Sequence, residues 1–294
     1  MSNKYALFIG CTIPVRAMNY EISVRKVAEK MGIDLIDIEF ECCGFPIKSV
    51  NREAFALTAA VNLAQAEKKG LDICTLCSAC TGVLAEVNKE MKENVEFRGN
   101  INAKLKEIGF EYNGSVEVKH FARVLYENIG KIKGHIVKPL TNLKIAPHYG
   151  CHYLKPSYIH NLDNPEDPES LDKLIEITGA ESVNYMNKKQ CCGGGILSID
   201  ENIALTMSRE KLDCIKNAGA DGIALICPFC GIMYDANQRK INSVFGEDYD
   251  IPVLYYPQLL GLAMGFNADD LGFWMNRVKT DRLIEKIDRI TKDD

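Results

Sequence analysis

Cysteine is the residue type from which chemistry can be read in this chain: there are twelve in 294 residues. Ten of them fall into two sets with one pattern. Cys11 is followed by the adjacent pair Cys42 and Cys43, then by Cys77 and Cys80. Cys151 is followed by Cys191 and Cys192, then by Cys227 and Cys230. Equivalent members are offset by 140 residues at the first cysteine, 149 at the pair and 150 at the C-x-x-C. The flanking text repeats as well, Cys43-Gly44 matching Cys192-Gly193 and Leu76-Cys77 matching Ile226-Cys227. Soft thiolates select zinc, cuprous copper or iron–sulfur clusters. In a reducing compartment a disulfide framework is disfavoured, and a regular cysteine set there binds metal or does redox chemistry.

Zinc is the first competitor. A structural zinc takes four ligands in a tetrahedron, commonly from two C-x-x-C knuckles. Each set here offers five thiols and a single knuckle, and the side chains of neighbouring cysteines diverge, which suits two metal atoms of one cluster. The count favours a polynuclear site. A ferredoxin-like cubane is the second competitor, because Cys74, Cys77 and Cys80 form C-x-x-C-x-x-C. That run needs a fourth cysteine followed by proline, whereas positions 84 and 85 are Leu84 and Ala85. Cys74 and Cys214 stand outside the repeat and read as small buried hydrophobes.

The elements that must position these thiols repeat in the same order. Apolar runs at residues 5–9 and 143–149 end at Gly10-Cys11 and Gly150-Cys151 and read as buried strands. A helix follows in each half. Tyr20, Val24, Val27, Ala28 and Met31 share one helical face, and the second helix spans residues 169–178. Strands at 35–40 and 182–186 then reach the cysteine pairs, and helices at 52–69 and 201–217 follow. Third strands at 72–76 and 222–226 end at the C-x-x-C, which opens another helix. Fourth strands at 116–121 and 252–256 each lead into a last helix.

Strands alternating with helices predict an α/β fold: two similar α/β domains, each a mainly parallel sheet flanked by helices, related by internal duplication. The division falls within residues 131–141, where Gly134 and Pro139 interrupt the pattern, giving domains 1–135 and 136–294. The second includes a C-terminal helix; the segment 269–291 lies outside the repeat and packs either on its own domain or on a partner. Ligands of parallel sheets bind beyond the carboxyl ends of the strands. All ten repeated cysteines fall there.

The pattern C-x30-CC-x33-C-x-x-C, repeated as C-x39-CC-x34-C-x-x-C, resembles the tandem cysteine-rich CCG-domain family of the heterodisulfide reductase B subunits, over residues 4–265. The resemblance implies two non-cubane [4Fe-4S] clusters. One would be held by Cys11, Cys42, Cys43, Cys77 and Cys80, the other by Cys151, Cys191, Cys192, Cys227 and Cys230. It implies reduction of the coenzyme M–coenzyme B heterodisulfide; because disulfide reduction needs two electrons, the disulfide is expected to lie between the two clusters and take one electron from each. It also implies partners: a small ferredoxin-like subunit with two [4Fe-4S] clusters, and further upstream a flavin-containing subunit and a hydrogenase. The alternatives are a CCG-type iron–sulfur subunit of a hydroxyacid oxidase or thiol:fumarate-type reductase and, in another class, a zinc-stapled scaffold.

Further residues complete the expected site. Gly44, Gly193, Gly194 and Gly195 follow the cysteine pairs; they either make tight turns or let backbone N–H groups approach cluster sulfurs. His120, His148 and His152 are candidate proton donors to a leaving thiolate, or residues that support the site without reacting. Arg16, Lys48, Lys155, Lys188 and Lys189 are candidate contacts for the anionic ends of the substrate. With no G-x-G-x-x-G after a strand, electrons must come from another protein. A net charge of −5 and the lack of a basic cluster interleaved with aromatics argue against nucleic acid. No apolar stretch approaches the roughly 20 residues of a membrane span, and the N-terminus lacks a signal-peptide pattern, so a cytoplasmic location is expected.

Overall fold

The computed structural model describes residues 3–293, with side chains through 289. Two four-stranded sheets, every pairing parallel, carry the fold. The first contains β1 (Lys4–Phe8), β2 (Asp34–Ile36), β3 (Asp72–Thr75) and β4 (Val118–His120), in the order β2-β1-β3-β4. The second contains β5 (Lys144–His148), β6 (Glu181–Ser182), β7 (Gly222–Leu225) and β8 (Val253–Tyr255), in the equivalent order β6-β5-β7-β8. The central strands are buried on both faces, which is why they read as apolar runs without alternation. Edge strands β2 and β6 are shorter than the sequence suggests. Only Lys4 to Ala6 and Lys144 to Ile145 offer them partners, and the chain then leaves each sheet as an irregular loop to deliver the cysteine pair.

Helices link the strands. In the first half these are α1 (Ile13–Arg16), α2 (Met18–Lys30), α3 (Arg52–Lys68), α4 (Ser78–Glu93), α5 (Val95–Glu107), α6 (Phe121–Glu127) and α7 (Ile129–Ile132). The second half has α8 (Cys151–Leu154), α9 (Ser157–His160), α10 (Ser170–Glu176), α11 (Glu201–Asn217), α12 (Pro228–Gly231), α13 (Gln238–Phe245), α14 (Tyr256–Ala263) and α15 (Asp281–Asp293). The duplication reaches the caps. Asn51 accepts from Ala54 N at the start of α3, and Asp200 accepts from Ile203 N at the start of α11, each 149 residues apart. The helix expected after the second C-x-x-C is broken: α12 gives way to a π-turn at Ile232–Ala236 before α13 begins.

The halves pack on each other through α2 against α14, α4 against α8 and α9, and α6 against α10. Tyr20 stacks on Tyr255 with centroids 4.2 Å apart and rings 2° from parallel. Its hydroxyl donates to the Ile226 carbonyl at 3.2 Å, and His120 Nε2 donates to the same carbonyl at 2.9 Å. The C-terminal segment closes this arrangement by packing on its own chain. Asn19 Nδ2 donates to Asn276 Oδ1 at 3.0 Å, and Lys286 on α15 pairs with Asp221 at 2.6 Å.

Candidate metal centre

The chain leaves β1 toward β2 on one side and returns to β3 on the other, so a crevice opens between the ends of β1 and β3. Cys11 lies just past β1, Cys77 just past β3, and Cys80 on the first turn of α4. The loop after β2 brings in Cys42 and Cys43. Beyond β5, β6 and β7 the second set assembles in the same way.

Each set is graded from rim to interior. Cys11 and Cys42 are exposed and Cys151 and Cys191 half-buried, while Cys43, Cys77, Cys80, Cys192, Cys227 and Cys230 are buried. All are free thiols. In the second set Cys151 Sγ lies 4.0 Å from Cys191 Sγ, and Cys230 Sγ lies 3.5 Å from Cys192 Sγ. In the first set Cys43, Cys77 and Cys80 line one small cavity with Cys11. Between the sets, Cys77 and Cys227 lie close enough to shift each other's acidity, so the two knuckles face each other across the interface. Crowding shifts acidity: the Cys80 thiol, aided by the Phe45 N–H, lowers Cys43 to about 7 against the effect of burial. Cys191 is likewise lowered by its hydrogen bonds with Cys151 and Cys192. Cys42, Cys77, Cys80, Cys151, Cys192 and Cys230 are instead raised, by neighbouring thiols and by burial, so a bound metal must displace their protons.

The backbone is shaped around sulfur. Gly44 N donates to Cys42 Sγ, Gly193 N to Cys191 Sγ and Gly194 N to Cys192 Sγ, each at 3.4 Å. Gly44 and Gly193 hold φ of 90° and 82°, which glycine alone adopts cheaply. A Cβ on Gly10 would stand 3.2 Å from Cys80 Sγ. An apolar cavity of about 40 Å³ is lined by Cys11, Cys43, Cys77 and Cys80 together with Phe45 and Phe229. Five convergent thiols, amide N–H groups aimed at sulfur and an apolar wall are the donor set of a polynuclear iron–sulfur group, and the residues present fit one. Cys74 and Cys214 stay apart. Cys74 is buried within β3, where burial raises its thiol; Cys214 lies on α11 and accepts from Asn187 Nδ2 at 3.8 Å.

The three histidines differ in what they touch. His120 has both nitrogens engaged: Nδ1 accepts from Ala122 N at 3.1 Å as the cap of α6, and Nε2 holds Ile226. His148 lies with Nε2 3.1 Å from Cys230 Sγ and Nδ1 3.3 Å from Lys211 Nζ; burial first, then Lys211, keeps it neutral. His148, Cys192 and Cys230 form one tight buried group of ligating atoms. His152 is partly exposed, edge-on to Phe45 at 5.1 Å and beside Gly82 of α4. Of the cations, Lys48 pairs with Glu86, Lys155 and Lys189 with Glu166, and Lys188 with Asp172. Arg16 makes no ion pair among the described residues. It lines a cavity of about 330 Å³ between the halves, with Arg277, Asn19, Tyr255 and Trp274.

Sequence reasoning missed Lys211. It is fully buried on α11, donating to the carbonyls of Gln190 at 2.6 Å and Lys188 at 3.0 Å. Burial lowers its ammonium to about 8 against the opposing pull of Cys230, Cys192, Cys191 and Cys151. A signal was present: Ala204, Ser208, Lys211 and Ile215 form one inward stripe, and a lysine in such a stripe calls for a buried partner.

An α/β unit written twice, with five thiols at the same strand ends of each copy, defines a tandem cysteine-rich protein. A family model described as a cysteine-rich domain matches residues 5–85 and 145–235. The chain is 42% identical to the B subunit of the ferredoxin/F420H2-dependent CoB-CoM heterodisulfide reductase of Methanosarcina acetivorans, covering 98% of both chains. It is 30% identical to the 8-methylmenaquinol:fumarate reductase membrane anchor subunit of Wolinella succinogenes, over 96% of this chain and 100% of that one. In fold it is similar to the crystal structure of a hypothetical protein from Helicobacter pylori, with a TM-score of 0.77 and 18% identity, over 95% of this chain and 52% of the other. The chain belongs to the family of heterodisulfide reductase B subunits. Among the described residues no helix is long and apolar enough to cross a membrane.

Proposed function

We propose that this chain is the catalytic iron–sulfur subunit that reduces the coenzyme M–coenzyme B heterodisulfide to its two thiols. Domains 1–135 and 136–294 would each hold one non-cubane [4Fe-4S] cluster in the five-cysteine sets. One observation carries the reading: two complete five-thiol sets stand side by side, with Cys77 against Cys227 across the interface. When bound, the two clusters supply the two electrons that cleaving a disulfide requires. The protein's own residues do the rest. The N–H groups of Gly44, Gly193 and Gly194 hydrogen-bond ligand sulfur. Arg16, with Arg277, draws the sulfonate, phosphate or carboxylate ends into the cavity between the halves. His152, the partly exposed histidine of the three candidates, hands a proton to a departing thiolate. Electrons arrive from a small ferredoxin-like subunit with two [4Fe-4S] clusters, fed by a flavin-containing subunit and hydrogenase, in the cytoplasm.

The test is iron, acid-labile sulfide and zinc per chain on anaerobically purified protein, with EPR during titration with the heterodisulfide. About eight irons and a paramagnetic signal elicited by that disulfide support the proposal. Zinc without sulfide would refute it. Full iron with no response would favour a second reading, prompted by the fumarate reductase relative, in which the chain relays electrons within a complex of that kind.

A further inference from the structure

The two thiol sets are built alike, but what stands behind them is not. At the end of β5 His148 reaches Cys230; the equivalent residue at the end of β1 is Phe8, 140 positions earlier. On α11 the buried Lys211 faces the second set, and its equivalent on α3, 149 positions earlier, is Asn62. Asn62 is equally buried but neutral, accepting from Glu41 N at 2.8 Å and donating to the Cys42 carbonyl at 3.0 Å. Behind the second set therefore runs a relay absent from the first. The Lys211 ammonium donates to His148 Nδ1, which fixes the tautomer with its proton on Nε2, and Nε2 donates to Cys230 Sγ.

We propose that Lys211, acting through His148, is a positioning residue that makes the cluster of the second set the more readily reduced of the two. The inference rests on the reading that both sets hold clusters. A cluster held by thiolates gains negative charge on reduction. A cation buried beside it, in a poorly screening interior, stabilises the reduced form more than the oxidised one. A hydrogen bond to ligand sulfur acts in the same direction. The first set has neither contribution from these positions, since Phe8 donates nothing and Asn62 is spent on backbone. The duplicated fold thus holds two unequal acceptors, and the first electron to arrive settles behind Cys151, Cys191, Cys192, Cys227 and Cys230.

The experiment is an EPR-monitored redox titration of the iron-loaded protein and of Lys211→Met, Lys211→Arg and His148→Phe, with iron and sulfide measured for each. The wild type should show two separated midpoints. Lys211→Met and His148→Phe should lower the higher one alone, changing the partition of one electron between the clusters at least tenfold, which is about 59 mV. Lys211→Arg should keep most of the separation. Indistinguishable midpoints in the wild type, or equal shifts of both in the variants, would overturn the proposal. Loss of iron from the second set in all three variants would also overturn it, assigning the pair to assembly. The two readings fail separately. Unshifted potentials with an intact response to the heterodisulfide remove the tuning role, whereas a missing response with shifted potentials removes the substrate assignment.

Discussion

The carbonyl of Ile226, one residue before Cys227, receives Tyr20 Oη at 3.2 Å and His120 Nε2 at 2.9 Å, both from the other half. Removing one donor should be mild, because the other still satisfies the oxygen. Tyr20→Phe keeps the ring stack on Tyr255 and loses one neutral hydrogen bond, about 1 kcal/mol. His120→Asn keeps an oxygen able to cap α6 but is too short to reach Ile226, so it too should cost about 1 kcal/mol. Together they strip both donors from a buried carbonyl, whose desolvation adds about 1–3 kcal/mol, for a total near 3–5 kcal/mol. For a chain of this size 1 kcal/mol moves the thermal midpoint by about 2 °C, so each single variant should lose about 2 °C and the double variant about 6–10 °C. The assay is thermal unfolding of the four proteins under anaerobic conditions at one scan rate, with iron per chain as a second readout. Because Ile226 fixes the turn into Cys227 and Cys230, iron lost by the double variant should come from the second set. Additivity within about 0.5 kcal/mol would refute the shared-acceptor argument.

Other expectations concern single positions. Gly193→Ala places a Cβ 2.8 Å from the Ala204 carbonyl at φ 82° and should cost at least about 2 kcal/mol, whereas Gly195→Ala meets nothing within 4 Å and should stay within about 0.5 kcal/mol by thermal melting. Cys43→Ala should remove about half the iron, while Cys74→Ala should leave the iron count intact and cost only about 1–2 kcal/mol of stability. His120 and His160 are lowered to about 4, chiefly by burial, so the folded protein binds fewer protons than the unfolded chain between pH 6.5 and 4. Stability should therefore fall as pH drops through that window, by up to about 3 kcal/mol for the fully buried His120, and a flat stability–pH curve there would contradict the assignment.

What the sequence disclosed follows from what it repeats. The strand runs, the long helices and the ten cysteines recur at offsets of 140 to 150 residues, so the order of elements could be read twice and checked against itself. The edge strands were less legible, since apolar residues such as Ile38 and Phe40 pack on the core from a loop and give no backbone ladder to detect. The π-turn after α12 was not legible; Gly231, just before it, marks only the close approach of Tyr255, whose hydroxyl a Cβ there would meet at 2.1 Å. The candidate cations were chosen for closeness in sequence to the cysteine loops, and four of the five are ion-paired to carboxylates, Glu86, Glu166 and Asp172, that sequence proximity did not single out.

The residues that distinguish the two sites lie where the repeat is broken rather than where it is kept. Asn51 and Asp200, Gly44 and Gly193, and the ten thiols keep their chemistry across the duplication, and all of them serve construction. Phe8 against His148 and Asn62 against Lys211 change it, at the position that touches Cys230 sulfur and at the one directly behind it. A buried lysine gains nothing for packing that leucine would not give at lower desolvation cost. Its three partners, two carbonyls and an imidazole, are neutral groups that orient it without cancelling its charge. An uncancelled buried cation needs a source of negative charge nearby, and the second set would supply it once a bound cluster holds its sulfurs as thiolates.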